Sequence, residues 1–150
     1  MTIAVDFDGT IVENLYPKLG QETPFAIETL IRIQKKFQHQ LILWTVREGK
    51  LLDEAVDFCK KRGLEFYAIN QNNPDDKPGT GPRKLMADLF IDDRNLGGIP
   101  DWGLIYQMIA ANKADRNYEE VYRNAFNVQQ KAFLKQNIFL KIGTLLATKK

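Results

Sequence analysis

At 150 residues, 44% of them hydrophobic, the chain is long enough for one domain with a single sizeable core and too apolar for disorder. It contains no serine, which excludes a serine hydrolase, and its one histidine and one cysteine are too few for the usual structural zinc sets or for an internal disulfide. The net charge of +2 hides an asymmetry: residues 1–112 hold 13 Lys+Arg against 16 Asp+Glu, and residues 113–150 hold 8 against 3.

No stretch approaches the roughly 18 to 20 uncharged apolar residues that cross a bilayer, and no leader pattern precedes the first apolar run. A reducing cytoplasm is the expected location. The first run, Thr2–Phe7, reads as a strand that ends in Asp6-Phe7-Asp8-Gly9-Thr10. Thr23-Pro24 then supplies an N-cap and first-turn proline for a helix with Ile27, Leu30, Ile31 and Phe37 on one face. His39 is expected in a solvated loop before a second strand, Leu41–Thr45. Glu48 to Arg62 reads as a helix with Leu51, Leu52, Ala55, Phe58 and Cys59 turned inward, stopped by Gly63. A third strand covers Glu65–Ile69, and the Asn-, Pro- and Gly-rich residues 70–84 form the long loop. A fourth strand, Leu89–Ile91, ends at Asp92-Asp93. Beyond Asn112 the residues Tyr118, Val121, Tyr122, Ala125, Phe126 and Phe133 recur at helical spacing.

The strands are apolar on both faces and alternate with helices, which predicts a parallel sheet covered by helices in an α/β fold. Each strand also ends in polar chemistry: Asp6 and Asp8, then Thr45, then Asn70, then Asp92 and Asp93. Side chains two apart on a strand point the same way, so Asp6 and Asp8 share a side if the strand persists that far. Ligands in such sheets sit beyond the carboxyl ends of the strands, where strand order reverses.

These residues resemble the motifs of the haloacid dehalogenase-like superfamily over residues 1–112. Its DxDx(T/V) motif is Asp6 to Thr10, its strand-two hydroxyl is Thr45, its basic residue is Lys84 and its acidic pair is Asp92-Asp93. The resemblance implies a three-layer α/β/α, Rossmann-like sheet ordered 3-2-1-4. It further implies a Mg²⁺-dependent phosphomonoester hydrolase working through an aspartyl-phosphate. Asp6 is then the nucleophile, Asp8 the acid and base, Thr45 a hydrogen-bond donor to a phosphoryl oxygen and Lys84 the charge-offsetting cation, with Arg83 as the neighbouring alternative. Asp6, Asp8 (through its carbonyl), Asp92 and Asp93 make up the metal set. All-oxygen ligation favours Mg²⁺. Gly9, Thr10, Arg47 and Asn70 form the substrate-facing set. Arg47 alternatively opens the following helix, and Asn70 alternatively caps its strand. Glu13 and Asn14 are read as solvated loop.

Only one helix fits between Asp8 and Thr45, so no cap domain is expected and the crevice is open. Such a site suits an exposed phosphate on a macromolecule, or a small phosphorylated substrate under a partner's lid. The competing readings are a nucleotidase or polynucleotide-end phosphatase, and a non-catalytic phosphate- or metal-binding regulator. A signalling receiver domain would carry its acidic pair first and its lone Asp later, the reverse of the order here. Residues 113–150 are expected to be a helical extension packed on the core or on a second copy as a homodimer. Their lysines, spread among Gln and Asn, are no strong nucleic-acid signal.

Overall fold

Four strands, β1 (Thr2–Val5), β2 (Gln40–Leu43), β3 (Ala68–Ile69) and β4 (Leu89–Ile91), pair in parallel in the order β3-β2-β1-β4. Helices α1 (Ala26–Phe37), α2 (Gly49–Lys60) and α3 (Trp102–Lys113) connect and follow them in a three-layer, Rossmann-like arrangement. The computed structural model describes residues 1–77, 84–113, 123, 124 and 127.

The core follows from the double-sided apolar strands. Ile3, Ala4 and Val5 of β1 and Leu41, Ile42 and Leu43 of β2 are all buried, as both faces of a covered parallel sheet require. One sheet face gathers Ala4, Ile42, Ala68 and Leu85, with Trp44, Ala87 and Phe90 at its margin. Helix α1 buries Ala26, Ile27, Leu30, Ile33 and Phe37, with Ile31 half-buried. Helix α2 buries Ala55, Phe58 and Cys59, while Leu51 and Leu52 are half-buried. Phe58 meets Phe7 edge-to-face at 6.0 Å, which ties α2 to the chain leaving β1.

Strand ends differ from the sequence expectation in an informative way. The regular pairing of β1 stops at Val5 and that of β2 at Leu43, yet the ladder carries one step further. Asp6 N–H donates to the Ile91 carbonyl at 2.9 Å, Trp44 N–H to Val5 at 2.8 Å and Asn70 N–H to Leu43 at 2.8 Å. β3 keeps only two of its five expected residues. Helix α1 begins at Ala26 rather than at a Thr23 cap. Thr23 is already engaged, its N–H donating to the Ile11 carbonyl and its carbonyl accepting from Ala26 N–H. The chain therefore turns through Phe25, at φ 67°, before the helix starts. Gly63, at φ 84°, ends α2 as expected, with Leu64 N–H reaching back to the Cys59 carbonyl at 3.1 Å.

Two compact units divide inside α3, Met1–Tyr106 and Gln107–Lys150, ahead of the boundary at residue 112 drawn from the sequence. The aromatic stripe from Tyr118 to Phe133, and with it the expected helical extension and dimer surface, lies outside the described residues, except that Arg123, Asn124 and Asn127 are helical. In the first unit one helix lies between Asp8 and Thr45, and no folded cap occurs among the described residues.

Leu30 is fully buried. Leu30→Ala is expected to lower unfolding free energy by about 2–5 kcal/mol, read as a lower urea midpoint with an unchanged slope.

Candidate functional site

The site is set by strand register. β1 and β4 align Val5 with Ile91, so the next residues, Asp6 and Asp92, leave neighbouring strands side by side. Asp93 follows, and ligand oxygens of Asp6, Asp92 and Asp93 lie within 4.8 Å of one another.

The turn after β1 is wound tightly to bring this about. The Phe7 carbonyl accepts from the N–H groups of Thr10, Ile11 and Val12. Gly9 sits at φ 90°, a region that side-chain-bearing residues avoid. A methyl group on Gly9 would also overlap the Asp93 carboxylate. The buried Thr10 hydroxyl then bridges two strands: it donates to Asp6 Oδ2 at 3.4 Å and accepts from Asp93 N–H at 3.1 Å. From Ile11 to Thr23 the chain forms a small hairpin, closed by Glu13 N–H on the Gln21 carbonyl and Thr23 N–H on Ile11.

Two of these crowded carboxylates, Asp6 and Asp93, resist ionisation. Burial, with the neighbouring charges of Asp92, Asp93 and Asp8, pushes the Asp6 carboxyl up to about 7. Burial and Asp92 likewise raise Asp93. Asp93 Oδ1 is buried and has no hydrogen-bond partner among the described residues. The Asp8 carbonyl accepts no backbone hydrogen bond among them either. A set of purely oxygen ligands that repel one another, one of them a buried oxygen with no partner among the described residues, fits a hard divalent cation such as Mg²⁺.

Asp8 is separated from this cluster in role. Its carboxylate is buried and faces Arg47, whose side chain is fully buried. Arg47 Nε donates to Asp8 Oδ2 and Nη2 to Oδ1, both at 2.7 Å. The same guanidinium donates to the carbonyls of Lys18 (2.8 Å) and Pro17 (3.3 Å) and lies over the rings of Phe7 and Tyr16. The Asp8 hydrogen bond raises the Arg47 pKa further. Arg47 is therefore corrected from the substrate-facing set: four of its N–H groups are spent inside the protein and none of the side chain is exposed. Leaving either charge of such a buried pair alone costs about 3–5 kcal/mol.

Thr45 and Asn70 meet at the same sheet edge. Thr45 is buried, its N–H donating to Asn70 Oδ1 at 2.8 Å and its hydroxyl oxygen accepting from Arg47 N–H at 3.2 Å. The Thr45 hydroxyl proton remains available to a ligand, and Asn70, at φ 54°, acts as the strand-end cap. Lys84 is exposed and pairs with none of the described acids. Arg83 lies outside the described residues. Glu13 and Asn14 are exposed, as read. His39 is half-buried against Phe37 rather than solvated, at the far end of β2 from the acids. The buried Cys59 thiol is pushed up to about 12 by burial, which makes it core and no nucleophile.

No family model matches this chain, and no curated protein does. A solved structure of a conserved protein from Bacteroides thetaiotaomicron is similar to it, with 59% sequence identity and a TM-score of 0.71. The similarity spans 81% of this chain and 97% of that one.

A raised Asp6 pKa has a signed consequence. The metal-free fold holds the protonated form more tightly than the unfolded chain does. This contribution is complete below the ordinary 3.8 and is lost as pH rises through about 7. Mg²⁺ needs the ionised form, so its affinity should climb with pH up to about 7 and then level off. Titration calorimetry in two buffers of different ionisation enthalpy should show proton release on binding below that pH. An affinity flat with pH across this range would disprove the arrangement.

Proposed function

The chain belongs to the same family as that conserved Bacteroides protein, and we propose that it is a Mg²⁺-dependent phosphomonoester hydrolase with an open, cap-less site. One observation carries the reading: Asp6, Asp92 and Asp93 converge at the carboxyl edge of adjacent strands, with a buried oxygen of Asp93 left without a partner among the described residues. The haloacid dehalogenase-like motif order, with Thr45 on the same edge, supports it.

Asp6, Asp92, Asp93 and the Asp8 carbonyl are the groups that would hold Mg²⁺. Bound there, the cation would offset the negative charge of a phosphoryl group and of the carboxylates around it. The chain's own groups divide the chemistry. An Asp6 carboxylate oxygen bonds to phosphorus as the ester P–O bond breaks, giving an aspartyl-phosphate. Asp8, protonated from solvent as the phosphate binds, gives that proton to the departing oxygen and, then a carboxylate, takes one from the water that attacks phosphorus. That second step frees inorganic phosphate and restores the Asp6 carboxylate. Thr45 donates its hydroxyl proton to a phosphoryl oxygen, and Thr10 orients Asp6. Lys84, an exposed side chain, would offset phosphoryl charge.

Exposed apolar side chains lie in the segments that follow the carboxyl ends of the strands: Leu15, Tyr16 and Leu19 after β1, Val46 after β2 and Leu96 after β4. Exposed apolar groups on that side of the sheet suit a substrate whose phosphate is carried on a sizeable body, whether nucleotide, polynucleotide end or phosphoprotein.

Wild-type protein with Mg²⁺ is expected to release inorganic phosphate from members of a panel of phosphorylated metabolites and oligonucleotides. Asp6→Asn should lose turnover to background while keeping its fold by circular dichroism. Metal-dependent turnover surviving in that variant would refute Asp6 as nucleophile.

A further inference from the structure

We infer that Arg47 is a positioning residue for Asp8, holding the carboxylate that exchanges protons with the leaving group, and that it does not bind substrate. The inference rests on the phosphatase reading.

The geometry is that of a clamp. Two parallel N–H donors, Nε and Nη2, meet both Asp8 oxygens at 2.7 Å, which fixes the rotation as well as the location of the carboxylate. The clamp is itself immobilised from every side. The Lys18 and Pro17 carbonyls take two more N–H groups, and the Phe7 and Tyr16 rings lie 5.1 and 5.5 Å from the guanidinium carbon. Arg47 N–H on the Thr45 hydroxyl oxygen at 3.2 Å links the same residue to the hydroxyl that meets the phosphoryl group. Each carboxylate oxygen offers two lone-pair directions. Arg47 occupies one on each, so the other on either oxygen stays open for a proton.

Positioning of this kind matters in proportion to the basicity of the leaving oxygen. An alkoxide must be protonated as it departs, whereas a nitrophenolate departs nearly unaided. General acid assistance contributes about 10²–10⁴-fold and requires the acid within roughly 2.6–3.2 Å of the oxygen it serves. Lysine keeps the charge but has no planar fork, so it leaves Asp8 free to rotate.

Arg47→Lys, assayed as the full chain with Mg²⁺, is therefore expected to lower kcat for an alkyl phosphate such as glycerol 3-phosphate by about 10²-fold. For 4-nitrophenyl phosphate the loss should stay within about 10-fold. KM for both substrates and the Mg²⁺ midpoint should barely move. Asp8→Asn should show the same selectivity, and the double variant should lose little more than Asp8→Asn alone. Equal losses on the two substrates, or a rise in KM with kcat retained, would overturn the positioning role. Should Arg47→Lys fail to fold, Tyr16→Ala, which removes an exposed ring from the guanidinium, must give a smaller loss with the same preference. An equal loss on both substrates there overturns the role too. No turnover of either substrate by wild-type protein would instead overturn the phosphatase reading beneath it.

Discussion

The alignment of Val5 with Ile91 is the constraint on which this site depends. Side chains on a strand alternate between faces, so a slip of one residue would move every core side chain to the opposite face, away from the neighbours it packs against. The buried residues of β1 and β4 therefore enforce a register that has nothing to do with charge. Because Asp6 and Asp92 each stand one residue beyond that pair, the hydrophobic effect fixes a separation that electrostatics alone would widen. Acids that repel one another are held together by the burial of Ile3, Ala4, Val5 and Ile91.

The turn after β1 and the buried ion pair extend that control past the end of the sheet. Gly9 lets the chain double back without a Cβ in the way of Asp93, and the Thr10 hydroxyl joins Asp6 to the backbone of Asp93 across two strands. Asp8, two residues from Asp6 in sequence, has an opposite electrostatic setting: one buried cation meets both its oxygens. Neighbouring carboxylates in one motif thus receive different partners, which is how a single short segment can support two chemical roles.

Much of this was legible in the sequence because it depends on local pattern. Double-sided apolar runs ending in acids point to a covered parallel sheet with its chemistry at one edge, and the resemblance supplied the strand order. Gly63 could be read as a helix stop because a left-handed residue after a helix is a backbone property. The partner of Arg47 was not legible, since a contact between residues 8 and 47 depends on how two loops fold over each other. A buried arginine carries no mark of burial in its own neighbours. The start of α1 was misread for a similar reason: Thr23 and Pro24 suit a cap, but the hairpin to Ile11 had already engaged Thr23. Helix α3 leaves no periodic mark in the sequence because Trp102 to Ala111 is apolar on nearly every side and shows no stripe.

The loop after β1 is moored to Arg47 by the main-chain oxygens of Pro17 and Lys18, which any residue would present equally well. Substitutions at the exposed Leu15, Lys18 and Leu19 can therefore change the surface of this loop while the berth itself keeps its place. A loop so fastened can vary its outermost side chains with the buried pair of Asp8 and Arg47 left undisturbed.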